Sequence, residues 1–436
     1  MALSDPERRE YVHSDPANGI FRVHRDAYRT QEVFELEKER IFAKCWLYLG
    51  HGTELKKKGD YVARRVGGRE LIFLRDKSGE IQAYFNTCTH RGSKICRERS
   101  GNARTFSCPY HGWVFAADGT LKSISHKSNY DEVLDPADWA VTAVPRVETY
   151  RGFIFGCLDV DAAPLPEFLG HMTTTIDDLV DRSPSGEVVC SPYVLRHHYR
   201  GNWKMTFENL NDTIHPGFAH AASVVSAKHV AEEVGGPQNL KPSLGMMMAN
   251  GKPISFFQQL DMVTAPHGHS YIGGHMGANY TPDTQNAYHA ALVALHGEEK
   301  AARVLGLDRH LMLLYPSSTW HARYQTVRIV RPIRPDLTEV IGYTFSFPGA
   351  PEETRINAIE YCTGANSGGS PVISDDLELY ERMTYGNRWG DQQWIPMSRG
   401  LREDRERTNA FVRQPSTSEG YIRNQFRAWT AYMERA

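Results

Sequence analysis

The chain has 436 residues, a formal net charge of −2, seven cysteines and nineteen histidines. Its 41% hydrophobic, 23% charged and 11% aromatic content is that of a folded globular protein, with room for about three domains at roughly 150 residues each. The balanced charge argues against a surface that coats nucleic acid, and no uncharged apolar run approaches the ~18 residues of a membrane helix.

The first residues, MALSDPERREY, carry charge from the fifth position and hold no apolar h-region, so they do not read as a secretory signal. An odd set of cysteines spread from Cys45 to Cys362 is not a disulfide framework. It points to a reducing, cytoplasmic setting. Residues 31 to 46 read as an amphipathic helix, with Val33, Leu36, Ile41 and Phe42 near helical spacing. From about 60 to 157 short β-rich runs (61–63, 71–74, 105–106, 113–115, 153–155) alternate with turn signals at 76–79 and 118–119, as in a small all-β domain. Residues 162 to 166 read as a linker.

The remainder mixes strands, at 324–331 and 339–347, with helices at 203–207, 375–385 and 420–433. The two do not alternate regularly, so an α+β layout is expected rather than a doubly wound sheet. No G-x-G-x-x-G or Walker sequence of the right form appears. Gly273-Gly274-His275-Met276-Gly277 comes nearest, with the wrong spacing.

Within the β-rich segment stand Cys88-Thr89-His90 and, seventeen residues later, Cys108-Pro109-Tyr110-His111. Two short loops, each offering one thiolate and one imidazole, can enclose a metal centre. Zinc sites pair cysteines with cysteines and histidines with histidines. The mixed loops suit a [2Fe–2S] cluster with two cysteines on one iron and two histidines on the other. A glycine follows each pair (Gly92 and Gly112) and lets the loop turn tightly. Cys96 lies outside this set and reads as a small buried residue.

These two motifs, Cys88-Thr-His90-Arg-Gly and Cys108-Pro-Tyr-His111-Gly-Trp, resemble the Rieske motif of the large (α) subunits of aromatic-ring-hydroxylating dioxygenases. A Rieske cluster also occurs in ferredoxins and cytochrome bc complexes, so the roughly 270 residues that follow must decide between carrier and oxygenase.

Residues 208 to 220 contain His215 and His220, five apart. On an ideal helix they would diverge by ~140°, and Pro216-Gly217 is expected to break the helix and swing the second imidazole back. Two histidines and one carboxylate with open positions suit non-haem Fe(II) oxygen chemistry. A helix opening at Ser374-Asp375-Asp376 offers the carboxylate. Asp375 reads as its N-cap, with Glu378 three residues on, and Asp376 as the ligand; two helix-starting aspartates with no metal are the plainer reading of that pair.

Here too the chain resembles the dioxygenase family, whose E-N-x-x-D-x-x-H-x4-H pattern is matched by Glu208, Asn209, Asp212, His215 and His220. A late Asp-Asp pair followed by Glu is matched by Asp375, Asp376 and Glu381. Trp46, Gly50-His51 and Gly59-Asp60-Tyr61 extend the likeness over nearly the whole chain. The resemblance implies one Rieske [2Fe–2S] cluster per subunit on Cys88, His90, Cys108 and His111, and one mononuclear Fe(II) on His215, His220 and Asp376. It implies an all-β Rieske domain (41–160) inserted in a larger α+β catalytic domain with an antiparallel, helix-grip or START-like sheet. Residues 1–40 are the N-terminal helical part of that domain and 165–436 its body.

Asp212 stands three residues before His215, within reach of its ring. The resemblance makes Asp212 a bridge to a Rieske histidine, His111, of the neighbouring subunit, because the two centres of one chain lie too far apart. An α3 or α3β3 assembly follows. The expected function is cis-dihydroxylation of an aromatic ring with dioxygen, with electrons from a separate ferredoxin or flavin reductase. A Rieske monooxygenase, hydroxylating or dealkylating, is the alternative with the same ligands. His267, His269 and His275 leave open a third metal site. His197, His198 and His321 read as strand or surface residues. Arg323 and Arg328, on or near the strand run, can neutralise a substrate carboxylate, although salt bridges are the commoner fate of arginine; the arginines and histidines of the catalytic half favour a substituted aromatic carboxylic acid.

Overall fold

The structure, a computed structural model, describes residues 10–130, 134–274, 287–307, 309–404 and 411–434. They fall into two compact units, Phe42–Leu165 and the remainder of the chain on either side of it.

The smaller unit is built from three antiparallel sheets. Ile81–Phe85, Arg69–Arg75, Asp60–Val66 and Ser100–Asn102 form the largest, in that order. Thr105–Ser107, Val114–Ala116 and Leu121–Ser123 form a second. Leu47–His51 pairs with Phe153–Cys157, and that strand with Arg146–Tyr150. Inward-facing Val62, Leu71, Phe73 and Ile154 close one apolar core. Trp113, Phe115, Ile95 and Leu121 form another, and it takes in Cys88 and Cys108. The helix read over 31–46 stops at Arg40. Residues 41 to 45 form turns and a bend that lead into strand Leu47–His51, which pairs with Phe153–Cys157.

The larger unit carries an eight-stranded antiparallel sheet. Its order is Val189–Tyr199, Leu337–Ser346, Thr326–Arg334, Ser318–His321, Arg309–Leu314, Ser270–Gly274, Asp261–Thr264 and Val412–Pro415. Helix Glu352–Asn366 packs on strand Leu337–Ser346, and helix Gly420–Met433 on Asp261–Thr264. The α+β expectation with an antiparallel sheet holds. The N-terminal part is not purely helical. Val12–Asp15 and Ile20–His24 form a hairpin that Trp394–Pro396 extends, because Asp15 caps a Pro-Ala-Asn turn that reverses the chain.

Two local readings near the site change. The late helix begins at Pro371, with Ser370 as its N-cap accepting from Ile373 N–H at 3.2 Å. Asp375 therefore sits inside the helix, not at its cap; Ser followed by Pro at the first helical position is the stronger start signal. Pro216 opens a short helix, Pro216–Ala219, rather than breaking one. The interruption falls at His220 itself (φ −101°, ψ 21°), ahead of helix Ala221–Glu233.

No helix of the described residues is long and apolar enough to cross a membrane.

Candidate metal centres and cavity

In the smaller unit the two cysteine–histidine loops have the same shape. Gly92 N–H donates to the Cys88 carbonyl at 2.9 Å and Gly112 N–H to the Cys108 carbonyl at 3.0 Å. Both glycines have positive φ, +71° and +68°, which side chains disfavour. Asn86 fixes the first loop, its Oδ1 accepting from Ile95 and Cys96 N–H and its Nδ2 donating to the Cys96 carbonyl. Cys96 is buried, as its sequence setting suggested.

The His90 ring lies flat on Trp113, with centroids 4.6 Å apart at 4°, and the His90 and His111 centroids are 4.7 Å apart. Both cysteines are buried. Burial raises the Cys108 thiol, but backbone N–H groups of Tyr110 and His111 aimed at its sulfur outweigh this and hold it below the ordinary thiol value. The Nδ1 of His90 is buried and has no hydrogen-bond partner among the described residues. These features fit a group bound between the loops. Two thiols and two imidazoles are the donor set of a two-iron cluster with mixed ligation.

In the larger unit His215, His220 and Asp376 converge, each offering one atom within 4.8 Å of the others. His215 precedes the short helix, His220 separates it from the next, and Asp376 comes from the second turn of the late helix. Asp376 Oδ1 lies 3.6 Å from His215 Nε2 and 3.5 Å from His220 Nε2. The His220 Nδ1 donates to Asp375 at 3.2 Å, which leaves Nε2 with its lone pair toward Asp376. Asn209 Nδ2 lies 3.1 Å from His215 Nε2 and donates to Asp376 Oδ1 at 2.9 Å. Burial pushes the Asp376 carboxyl up to about 6, against the pull of His220, Asn209 and Arg328. A buried carboxylate facing two imidazoles is a donor set that a divalent cation satisfies.

The trio opens on a cavity of about 760 Å³, also lined by Asp212, His321 and Arg328. Asp212 Oδ1 accepts from Ile214 N–H at 2.8 Å and from Arg399 Nη2 at 3.0 Å. His321 is buried in its strand and not a surface residue. Arg323 lines the cavity, its guanidinium 5.6 Å from the Tyr324 ring centre. His197 and His198 lie in the edge strand Val189–Tyr199.

His269 is tied into the fold: Nε2 donates to the Phe168 carbonyl at 3.0 Å and Nδ1 accepts from Tyr315 N–H at 3.1 Å. His267 Nδ1 is 3.1 Å from the Tyr432 hydroxyl. His275, the third histidine of that group, lies outside the described residues, as do Met276 and Gly277. Sequence reasoning did not foresee that Asn209 bridges two of the trio or that Arg399 holds Asp212. Asn209 was visible only as a motif match six residues before His215, and Arg399 left no local signal.

Comparison with known proteins gives a consistent result. Residues 45–150 match the Rieske [2Fe-2S] domain family, and residues 191–433 match the ring hydroxylating alpha subunit (catalytic domain) family. The large subunit of 2-halobenzoate 1,2-dioxygenase from Burkholderia cepacia is 30% identical over 401 residues, covering 89% of this chain and 82% of that protein. The alpha subunit of toluate 1,2-dioxygenase from Pseudomonas putida is 31% identical over 402 residues, covering 90% and 84%. Among solved structures, a mutant naphthalene 1,2-dioxygenase bound to phenanthrene superposes with a TM-score of 0.81 at 24% identity, over 98% of this chain and 95% of that one, a likeness of fold.

Proposed function

The chain belongs to the ring-hydroxylating alpha-subunit family and carries a Rieske [2Fe-2S] domain, and from that premise we propose that it is the terminal oxygenase subunit that cis-dihydroxylates a small aromatic acid. It is an oxidoreductase, one component of a multicomponent oxygenase with a separate electron donor. The observation that carries the reading is the convergence of His215, His220 and Asp376 on one cavity.

In this reading Cys88, His90, Cys108 and His111 hold the cluster, and His215, His220 and Asp376 hold the Fe(II). When bound, the cluster supplies single electrons and the iron activates dioxygen. The chain's own residues set the conditions. Asp375 fixes the tautomer and plane of His220, and Asn209 sets the approach of His215 and Asp376. The cavity gives the ring a place beside the trio. Asp212, beside His215 and held by Arg399, is the link that accepts a hydrogen bond from His111 of a neighbouring copy. That link requires an oligomer, α3 or α3β3. The donor is a ferredoxin or a flavin reductase. All seven cysteines stand free of disulfides, which suits a cytoplasmic protein. Relatives acting on 2-halobenzoate and toluate favour an aromatic carboxylic acid.

The test is a panel of benzoates and neutral arenes with a surrogate reductase, followed by product identification, beside His215→Ala. A cis-dihydrodiol is expected from wild type. The variant is expected to yield none while keeping the cluster's visible spectrum. Turnover by His215→Ala, or a colourless protein with zinc and no acid-labile sulfide, would overturn the assignment.

A further inference from the structure

Arg328 lies in the strand Thr326–Arg334, opposite Thr319 on one side and Gly342 on the other. It is 8% exposed, and it lines the same cavity as His215, His220 and Asp376. Its one hydrogen bond among the described residues runs from Nε to Thr319 Oγ1 at 3.2 Å. No carboxylate of the described residues lies within 4 Å of it.

Two other shielded arginines of this unit have a carboxylate partner. Arg331, three residues further along the strand, pairs with Glu339, and Arg423 pairs with Asp404. An unpaired buried guanidinium is costly, and proteins retain one where a ligand supplies the counter-charge. Asp376 is close enough to be felt electrostatically, yet its charge is committed to the two histidines and the cation they imply. Thr319 anchors Nε, and the stem of Arg328 packs near Gly342, whose added Cβ would come 4.0 Å from Cγ. The side chain so placed forms part of the cavity wall. The planar fork of a guanidinium matches a carboxylate bidentately.

We propose that Arg328 is the specificity-determining residue of the cavity, binding the carboxylate of a small aromatic acid. The assignment rests on the oxygenase reading above and names the substrate group that the same site selects. Arg328 is a substrate-binding residue in it, and Thr319 is a positioning residue that acts through Arg328.

The experiment is calorimetric binding of benzoate and of benzamide, its neutral counterpart of similar size, to the purified holoenzyme. Wild type is expected to favour benzoate. Arg328→Gln is expected to weaken benzoate by about 10- to 100-fold and leave benzamide within about twofold. Arg328→Lys restores part of the loss, and Thr319→Val, which keeps the charge, shows a smaller one. An unchanged iron content and cluster spectrum certify each variant's fold. Undiminished benzoate binding by Arg328→Gln overturns the proposal. So does equal affinity of wild type for both ligands while neutral arenes are still dihydroxylated, an outcome that leaves the oxygenase reading standing. Absence of iron at the trio together with no turnover of any arene overturns both.

Discussion

Asn209 Nδ2 donates to Asp376 Oδ1 at 2.9 Å across 167 residues of sequence, and the same nitrogen lies 3.1 Å from His215 Nε2. One amide therefore sets the spacing of two donors before any metal arrives. Groups that orient ligands in this way are commonly worth about 10–100-fold in metal affinity. Asn209→Ala is expected to lower Fe(II) affinity by about that factor and to leave the cluster spectrum untouched. An iron titration identical to that of wild type would show that the amide does not position the site.

Asp212 is fixed by Ile214 N–H and by Arg399. Asp212→Asn keeps an acceptor for the backbone but removes the negative charge. The expected result is full occupancy of both metal centres with turnover reduced by about 10- to 100-fold. Rapid-mixing spectra should show a reduced cluster that fails to reoxidise with substrate present. Turnover within about twofold of wild type would remove Asp212 from the electron path. Arg399→Ala is expected to show a milder form of the same defect.

The glycines after the two ligand pairs differ in their surroundings. A Cβ on Gly112 would meet Ser125 Oγ at 2.6 Å, whereas a Cβ on Gly92 meets open space. Both positions carry the backbone penalty of about 1–2 kcal/mol for a side chain at positive φ. Gly112→Ala should therefore lose cluster content, measured as acid-labile sulfide per chain, well beyond Gly92→Ala. Equal cluster content in the two variants would contradict the packing argument.

Glu208, partly buried, lies between Tyr28, which donates to it at 2.8 Å, and Lys204. Burial raises its carboxyl from the ordinary 4.5 to about 7, with Tyr28 and Lys204 partly opposing and Glu419 adding to the rise. The folded chain thus holds a proton between those values that the unfolded chain has released. The resulting stabilisation is complete below pH 4.5 and is lost as pH climbs through 7, a difference on the order of 3 kcal/mol. Glu208→Gln keeps the acceptor for Tyr28 and cannot ionise. Its melting temperature relative to wild type should rise between about pH 5 and pH 8. Parallel melting curves over that range would show that Glu208 does not titrate there.

The chemistry-bearing residues were legible because each loop carries its donors within a few positions. Cys88 with His90, Cys108 with His111 and His215 with His220 are local patterns, and local geometry decides which way they face. The helix carrying Asp376 starts at Pro371, ahead of the acidic pair that suggests its start, because a serine cap before a proline outweighs two aspartates. Most of the large sheet was not legible: of its eight strands only Thr326–Arg334 and Leu337–Ser346 were read. Asp261–Thr264, Ser270–Gly274, Arg309–Leu314 and Ser318–His321 are short, and their mixed polarity gives no clean alternation. The residues that tune the site were least visible. Arg399 meets Asp212 across 187 residues, and that no carboxylate of the described residues pairs with Arg328 is a property of the packed sheet that no local pattern records.

In the proposed function the trio and its cavity serve an oxygenase that places both atoms of one dioxygen on a single aromatic acid. The direct measurement is turnover of benzoate under ¹⁸O₂ with a surrogate reductase, followed by mass spectrometry of the isolated product. Two labelled oxygens in a cis-dihydrodiol are predicted. A product retaining one label, with the second oxygen lost to water, would contradict the account and leave a monooxygenase in its place.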